Sequence, residues 1–434
     1  MSRPRKRILG LVALLTAAYL LFSKEFTSGG IGLVTRNSNI SHSESPASDH
    51  TDSGDVSYPK YTAGETTAQR LDLLKKLQDL EQQELHYQQS EDSRHKFRLQ
   101  NTFAEQQSSE FAALENATFV TLARNSDLLG LMNTIRSVED RFNNRYHYDW
   151  VFLNNEPFTE EFVKVSSSLV SGQARYGVIG LDHWSYPDWI NRTAAAEVRN
   201  KMRNAGIIYG DSESYRHMCR YESGFFYHHP LMREYKYYWR VEPDTLLHCD
   251  IDYDVFKYMR EEKKKYGFTI ALREYISTIE SLWDVTRQYL SHVPDALNSN
   301  SLLEFISDDY GVTYNLCHFW TNFEIADMDF WRAPPYQDYF DFLDKAGGFF
   351  YERWGDAPVH SIAASLFLDK KEIHFFDDIG YTHPPFTHCP MNPIERGLTC
   401  SCLPTQNFDW QSYSCTRQFY KAQNMPLPDN IPNA

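Results

Sequence analysis

The stretch Tyr237-Tyr238-Trp239-Arg240-Val241 is aromatic and β-branched, and it stops abruptly at Glu242-Pro243-Asp244. Such a stretch suits a buried strand. Proline cannot donate to a ladder, so the strand must end there and the chain must turn outward. Side chains at i and i+2 of an extended segment share a side, which predicts that Glu242 and Asp244 point the same way. Two carboxylates so placed can hold a hard divalent cation, and the cation a phosphate. The plainer alternative is an acidic turn that closes a strand.

The flanking pattern predicts an α/β fold. Thr118 to Ala123 reads as a strand, and Arg124 to Asp127 as a loop with helix-capping chemistry. Leu128, Leu129, Met132, Ile135 and Val138 give a helical stripe, and Tyr148 to Leu153 a second strand. A strand–helix–strand unit implies a parallel pair with a right-handed crossover. Tyr176 to Gly180 is a third strand, Pro187 to Asn204 a helix, and Tyr235 to Val241 a further strand. Function is then expected at the carboxyl ends of strands, where Arg124 and Glu242 both sit. No Gly-x-Gly-x-x-Gly follows the first strand, so a dinucleotide fingerprint is absent.

The second half is more mixed. Phe268 to Leu272 reads as a strand, Thr278 to Leu290 and Ser301 to Ile306 as helices, and Thr313 to Glu324 as extended chain with Glu324 where an apolar run stops. A helix through Tyr336 and Leu343 should end at Gly347-Gly348. Asp356 should cap a helix carrying Val359, Ile362 and Leu366. His374 to Ile379 is strand-like, before a stiff Tyr381-Thr382-His383-Pro384-Pro385 turn.

The N-terminus reads as a targeting device. Arg3, Arg5, Lys6 and Arg7 precede an apolar run from Ile8 to Phe22, and no good cleavage site follows. The expectation is a cytosolic tail over 1–7, an uncleaved signal anchor over 8–22 and a lumenal stem over 23–100, partly helical after Thr66. A catalytic body then occupies 101–434. A short span suits the thinner membranes of the early secretory pathway. Sequons at Asn39, Asn116 and Asn191 agree with a lumenal body. So do seven cysteines, most of which should pair in an oxidising lumen, in a pattern the sequence leaves open. The net charge of −15 argues against a nucleic-acid partner. The 28 Tyr, 28 Phe and 9 Trp suit a large core and ring-shaped ligands such as sugars.

Five long motifs carry a resemblance: Gly210 to Arg220, Tyr237 to Asp244, Tyr314 to Glu324, Phe349 to Ser361, and His383-Pro384-Pro385. Together they resemble the fungal Golgi α-1,2-mannosyltransferases of glycosyltransferase family 15, over roughly residues 110 to 420. The resemblance implies a GT-A-like nucleotide-sugar-binding fold with a mixed central sheet. It implies GDP-mannose as donor, manganese (Mn2+) as cofactor, and transfer with retention to mannose-terminated glycans of glycoproteins at the Golgi membrane. Carried over residue by residue, Glu242 and His383 would ligate the metal and Glu324 would be the catalytic carboxylate. Arg124 and Tyr215 would lie near the nucleotide diphosphate, with Asp244 as a further contact; Arg220 joins them on its charge and its closeness in sequence. His388 lies outside the motif and receives no role.

The chemistry is coherent with that set. A departing diphosphate gathers negative charge, which a divalent cation, Arg and Tyr can offset. Manganese accepts both carboxylate and imidazole. The anomeric carbon turns cationic, and a carboxylate can attack or stabilise it. Two alternatives use the same residues: a metal-dependent glycoside hydrolase with water as acceptor, and an inactive lectin-like member of the same fold.

Overall fold

The structure is a computed structural model that describes residues 114–428 and residue 431. The expected tail, anchor and stem lie outside the described residues. Among the described residues no helix is long and apolar enough to cross a membrane.

The core is a seven-stranded mixed sheet. Its strands are β1 (Ala117–Leu122), β2 (Asp149–Asn154), β3 (Ala174–Val178), β4 (Tyr237–Val241), β6 (Tyr266–Phe268), β9 (Phe323–Asp327) and β10 (Ile373–Phe375). Their order is β10-β6-β9-β4-β1-β2-β3. The expected parallel pair is present, with Val120 opposite Val151, and β1 also runs parallel to β4. Only β9 reverses direction: it lies antiparallel between β4 and β6. That reversal makes the sheet mixed.

Between β1 and β2 runs α1 (Leu128–Arg141), the crossover helix; its Leu131, Ile135 and Val138 are buried. Helix α2 (Glu160–Leu169) links β2 to β3 and is capped by Thr159, whose side chain accepts from the Phe162 amide. Helix α3 (Arg192–Asn204) begins later than the sequence suggests, because Asn191 takes the cap. Helix α4 (Glu213–Gly224) is capped by Ser212 and buries nearly its whole C-terminal half. Helix α5 (Pro334–Ala346) ends at Gly347 with φ 78°, a left-handed turn that glycine takes without steric cost. Helix α6 (Asp356–Phe367) lies against the face of the sheet that β4 and β9 present.

Both faces of the sheet are covered, as a mostly parallel sheet requires. The period-two alternation of β4 divides its side chains between them. Tyr237, Trp239 and Val241 enter one apolar cluster with Phe119 and Phe323, while Tyr238 enters the other with Phe226 and Trp331. Arg240 follows Tyr238 onto that second face, a charged group inside a core strand.

Two expectations are corrected here. The single strand expected at Phe268 to Leu272 is broken into β6 and β7 (Ala271–Arg273), and β7 leaves the main sheet to pair with β8 (Cys317–Phe319). Glu324 does not stand where an apolar run stops: it is the second residue of β9, and Ile325 and Ala326 continue the strand behind it. Three disulfides resolve the open pairing, Cys249–Cys400, Cys317–Cys415 and Cys389–Cys402, with Cys219 free and buried.

Candidate active site

The Glu-Pro-Asp turn does what the proline demands, and then the chain reverses. Immediately after it, β5 (Leu246–Leu247) pairs antiparallel with β11 (Tyr381–His383), placing Leu246 beside Thr382. β11 pairs in turn with β12 (Phe386–His388) across the His383-Pro384-Pro385-Phe386 turn. This small sheet carries His383, remote in sequence, to Glu242. His383 Nε2 lies 4.0 Å from Glu242 Oε2, and both side chains are partly exposed. The other imidazole nitrogen, Nδ1, is 3.0 Å from the carbonyl oxygen of Pro384. That carbonyl can only accept, so Nδ1 donates to it, and Nε2 is the nitrogen that faces the carboxylate. Two metal–ligand bonds of about 2.1 Å can bridge atoms up to about 4.2 Å apart, so a single cation reaches both. One imidazole nitrogen and one carboxylate oxygen is a donor pair that suits manganese. Among the described residues no group of three or more His, Cys, Asp or Glu side chains is placed to hold a metal ion.

Asp244 does not join this pair in the way extended chain would have it. Its φ is 62°, so the strand geometry that puts i and i+2 on one side has already ended. Its carboxylate sits over Gly130 of α1 instead: a methyl group there would come within 2.2 Å of Oδ1.

A cleft opens beside Glu242. One cavity of about 200 Å³ is lined by Arg124, Asp127, Ser214, Arg240 and Glu242, with Trp184 as one wall. A contiguous one of about 610 Å³ shares Arg124, Asn154, Trp184 and Ser214. Arg124 stands one turn past β1, exposed, and its Nη2 donates to Ser214 Oγ at 3.0 Å. The cleft therefore lies outside the carboxyl ends of β1, β2 and β4, where the alternation of elements placed it.

Tyr215 follows Ser214 but turns from the cleft. It stacks on Tyr209 with centroids 4.6 Å apart, and Arg353 lies 5.2 Å over its ring. Arg220 lines neither cavity. It is buried on α4 and makes a bidentate pair with Asp344, at 2.7 and 2.8 Å.

Beneath the cleft, Arg240 holds the site together. Its Nη2 donates to Glu242 Oε1 at 2.5 Å and its Nη1 to Asp356 Oδ2 at 2.5 Å. Glu222 of α4 is 3.8 Å away. Asp356 is not a cap: Gly355 takes that position, and the Asp356 carboxylate accepts from Arg240 and from Thr321 Oγ1 at 2.7 Å. Burial works against its charge, but Arg240 outweighs burial and holds its pKa below the usual carboxylate value. Glu222 has no such close partner. Burial pushes it up to about 7, with Arg240 only partly opposing.

Glu324 stands directly opposite Arg240 in the β4–β9 ladder. Its carboxylate is fully buried. Oε2 is 3.0 Å from Nδ1 of His360 on α6, and Oε1 accepts from the Tyr238 hydroxyl. His360 stacks on Trp331 at 4.2 Å. Burial disfavours its charged form, yet the adjoining Glu324 carboxylate overrides this and raises its pKa. Glu324 does not line the cleft: Arg240 and Glu242 stand between the two. Of the three side chains expected to converge, His383 and Glu242 meet, while Glu324 stands opposite Arg240 in the ladder and off the cleft.

A family profile described as Glycolipid 2-alpha-mannosyltransferase matches residues 68–424. The chain belongs to this family. Among curated relatives, the alpha-1,2 mannosyltransferase KTR1 of Saccharomyces cerevisiae is 60% identical over 315 residues, covering 72% of this chain and 80% of that protein. Glycolipid 2-alpha-mannosyltransferase 1 of Candida albicans is 58% identical over 309 residues, covering 71% and 72%. Of solved structures, core-mannan synthase A of Aspergillus fumigatus, in a Mn/GDP form, is 41% identical with a TM-score of 0.69, covering 74% of this chain and 88% of that one. The mixed α/β sheet is therefore the family's architecture, and the activity is glycosyl transfer, not the hydrolysis weighed as an alternative.

In this mannosyltransferase, sequence reasoning missed Arg240 as the organising residue, along with Glu222, His360 and Tyr238. A signal was present. Arg240 sits inside a strand whose other residues are all core-forming, and a buried guanidinium requires carboxylate partners. Which carboxylates, the sequence does not say.

Proposed function

We propose that this chain is a retaining, manganese-dependent α-1,2-mannosyltransferase of the Golgi lumen, moving mannose from GDP-mannose to a mannose hydroxyl on O-linked or N-linked glycans of glycoproteins. Mannosyl transfer follows from family membership. The observation that carries the finer reading is the approach of His383 Nε2 to Glu242 Oε2, 4.0 Å apart at the edge of a cleft that Arg124 overhangs. The Mn/GDP form of the Aspergillus fumigatus relative supports a cation and a guanosine diphosphate there. Three disulfides and a 15-residue apolar run after four basic residues support a lumenal body on a type II anchor.

Glu242 and His383 would hold the cation. Once bound, it supplies Lewis-acid stabilisation to the diphosphate leaving group. The remaining work belongs to the chain. Arg124, fixed by Ser214, adds positive charge at the cleft mouth where the diphosphate departs. Arg240 keeps Glu242 aimed by bonding its Oε1, which leaves Oε2 unpaired toward His383. Glu324, buried behind Arg240 and off the cleft, acts through the charged network that Arg240 carries to the cleft floor. His360 and Tyr238 fix its orientation by hydrogen bonds. Trp184 walls the cleft and limits water.

The test is incubation of the full chain with GDP-mannose and methyl α-mannoside, with manganese and with chelator, followed by linkage analysis. An α-1,2-mannobioside formed only with metal is the expected product. Free mannose in place of the disaccharide would overturn the reading.

A further inference from the structure

A second cleft, of about 450 Å³, lies away from Glu242 among Phe375, His388, Met391, Arg396, Asp409 and Trp410. It has the build of a binding site. One wall is the loop between Cys389 and Cys402, which a disulfide closes. The floor is polar and buried: His388 Nδ1 bonds Asp409 Oδ2 at 2.7 Å, and both residues are at least 98% buried. Burial lowers the pKa of His388, but Asp409 outweighs burial and raises it.

Three polar atoms at this floor are buried without a hydrogen-bond partner in the protein: His388 Nε2, Asp409 Oδ1 and Trp410 Nε1. Buried polar groups are nearly always satisfied, so unpaired acceptor and donor atoms on residues that line one cleft point to a ligand that brings the complement. Arg396 pairs with Asp377 at 3.1 Å and His388 with Asp409, while Glu395 adds a further carboxylate to the lining. An anionic ligand would meet the Glu395 carboxylate and cations that already have partners. A hydroxyl can both donate to Asp409 Oδ1 and accept from Trp410 Nε1. The aromatic walls, with Trp410 and Tyr420 edge to face at 5.6 Å, offer the apolar surface a pyranose ring presents on its C–H face.

We propose that this cleft is a second saccharide site, which holds a mannose unit of the acceptor chain apart from the unit being extended. The choice of mannose rests on the function proposed above. The hydroxyl recognition does not. β11 and β12 join the two sites physically, since the hairpin that carries His383 at its turn carries His388 opposite Tyr381.

Hydrogen-exchange mass spectrometry on the full chain, with α-1,2-mannobiose as probe, tests this. Amides at 388–396 and 407–420 should slow. Trp410→Phe keeps a ring but removes the indole donor, and should weaken that protection about three- to tenfold. Met391→Trp, which plugs the cleft without touching its floor, should abolish it. In both variants turnover on methyl α-mannoside should stay within about twofold of the parent, since neither residue meets the first cleft. No slowing at saturating mannobiose would mean that water fills the cleft, and would overturn the proposal. So would slowing that survives both substitutions. Slowing without any GDP-mannose turnover would instead sustain the saccharide site and sink the proposed function.

Discussion

Arg240 and Glu242, two residues apart at the end of β4, are joined by a 2.5 Å contact, and the second guanidinium nitrogen of Arg240 holds Asp356 at the same distance. One buried cation thus fixes both the carboxylate at the cleft and the first residue of α6. Arg240→Met should leave Asp356 buried without its guanidinium partner, at a cost of about 3–5 kcal/mol. Urea unfolding measures it. Arg240→Lys keeps the charge but loses the fork, and should fall between the two.

Glu242→Gln should weaken manganese-dependent GDP binding by at least about tenfold, since even residues that only orient a metal ligand are worth that much. His383→Ala should do the same. The double variant should lose less than the product of the single losses, because both act through one ion. Calorimetry with and without manganese reads this, and additive losses would separate the two residues.

Glu324→Gln should bind GDP-mannose normally but lose about ten- to a hundredfold in kcat, the scale of a buried partner that orients the groups at the site. His360→Gln disturbs only the orientation of Glu324 and should cost less. A normal kcat for Glu324→Gln would remove that residue from the mechanism.

The buried acids give a pH dependence with a definite sign. Burial pushes Glu222 up to about 7 from 4.5. A raised carboxyl stabilises the fold below its unfolded pKa and loses that contribution as pH climbs through the folded value. For Glu222 the loss runs between about pH 5 and 7 and amounts to at most about 3 kcal/mol. His360, also raised, weakens the fold in the same direction at higher pH. Asp356, depressed, acts only at low pH, where its contribution is lost as pH falls. The melting temperature should therefore decline from pH 5 to 7, and Glu222→Gln should flatten that decline. An unchanged slope would show that Glu222 does not titrate there.

Cys317 and Cys415 close a loop 98 residues apart in sequence. Replacing both by serine should cost about 2–5 kcal/mol, read by denaturant midpoint.

Local chemistry settled a good deal before any folding was considered. Proline after Glu242 had to end β4, glycine at 347 had to end α5, and the spacing of apolar residues had to make a strand–helix–strand unit of residues 117–154, with the cleft at its carboxyl edge. These follow from the backbone and from periods of two and 3.6. Other features are decided only by strands that meet across long separations. Nothing near residue 242 announces that β5 will pair with β11 and deliver His383, or that β9 will run backwards and set Glu324 opposite Arg240. The conformation of Asp244 and the true role of Asp356 were likewise invisible. A positive φ and a buried ion pair arise from neighbours supplied by α1 and β4, and a charge buried in a core takes whichever partner the packed chain brings within reach.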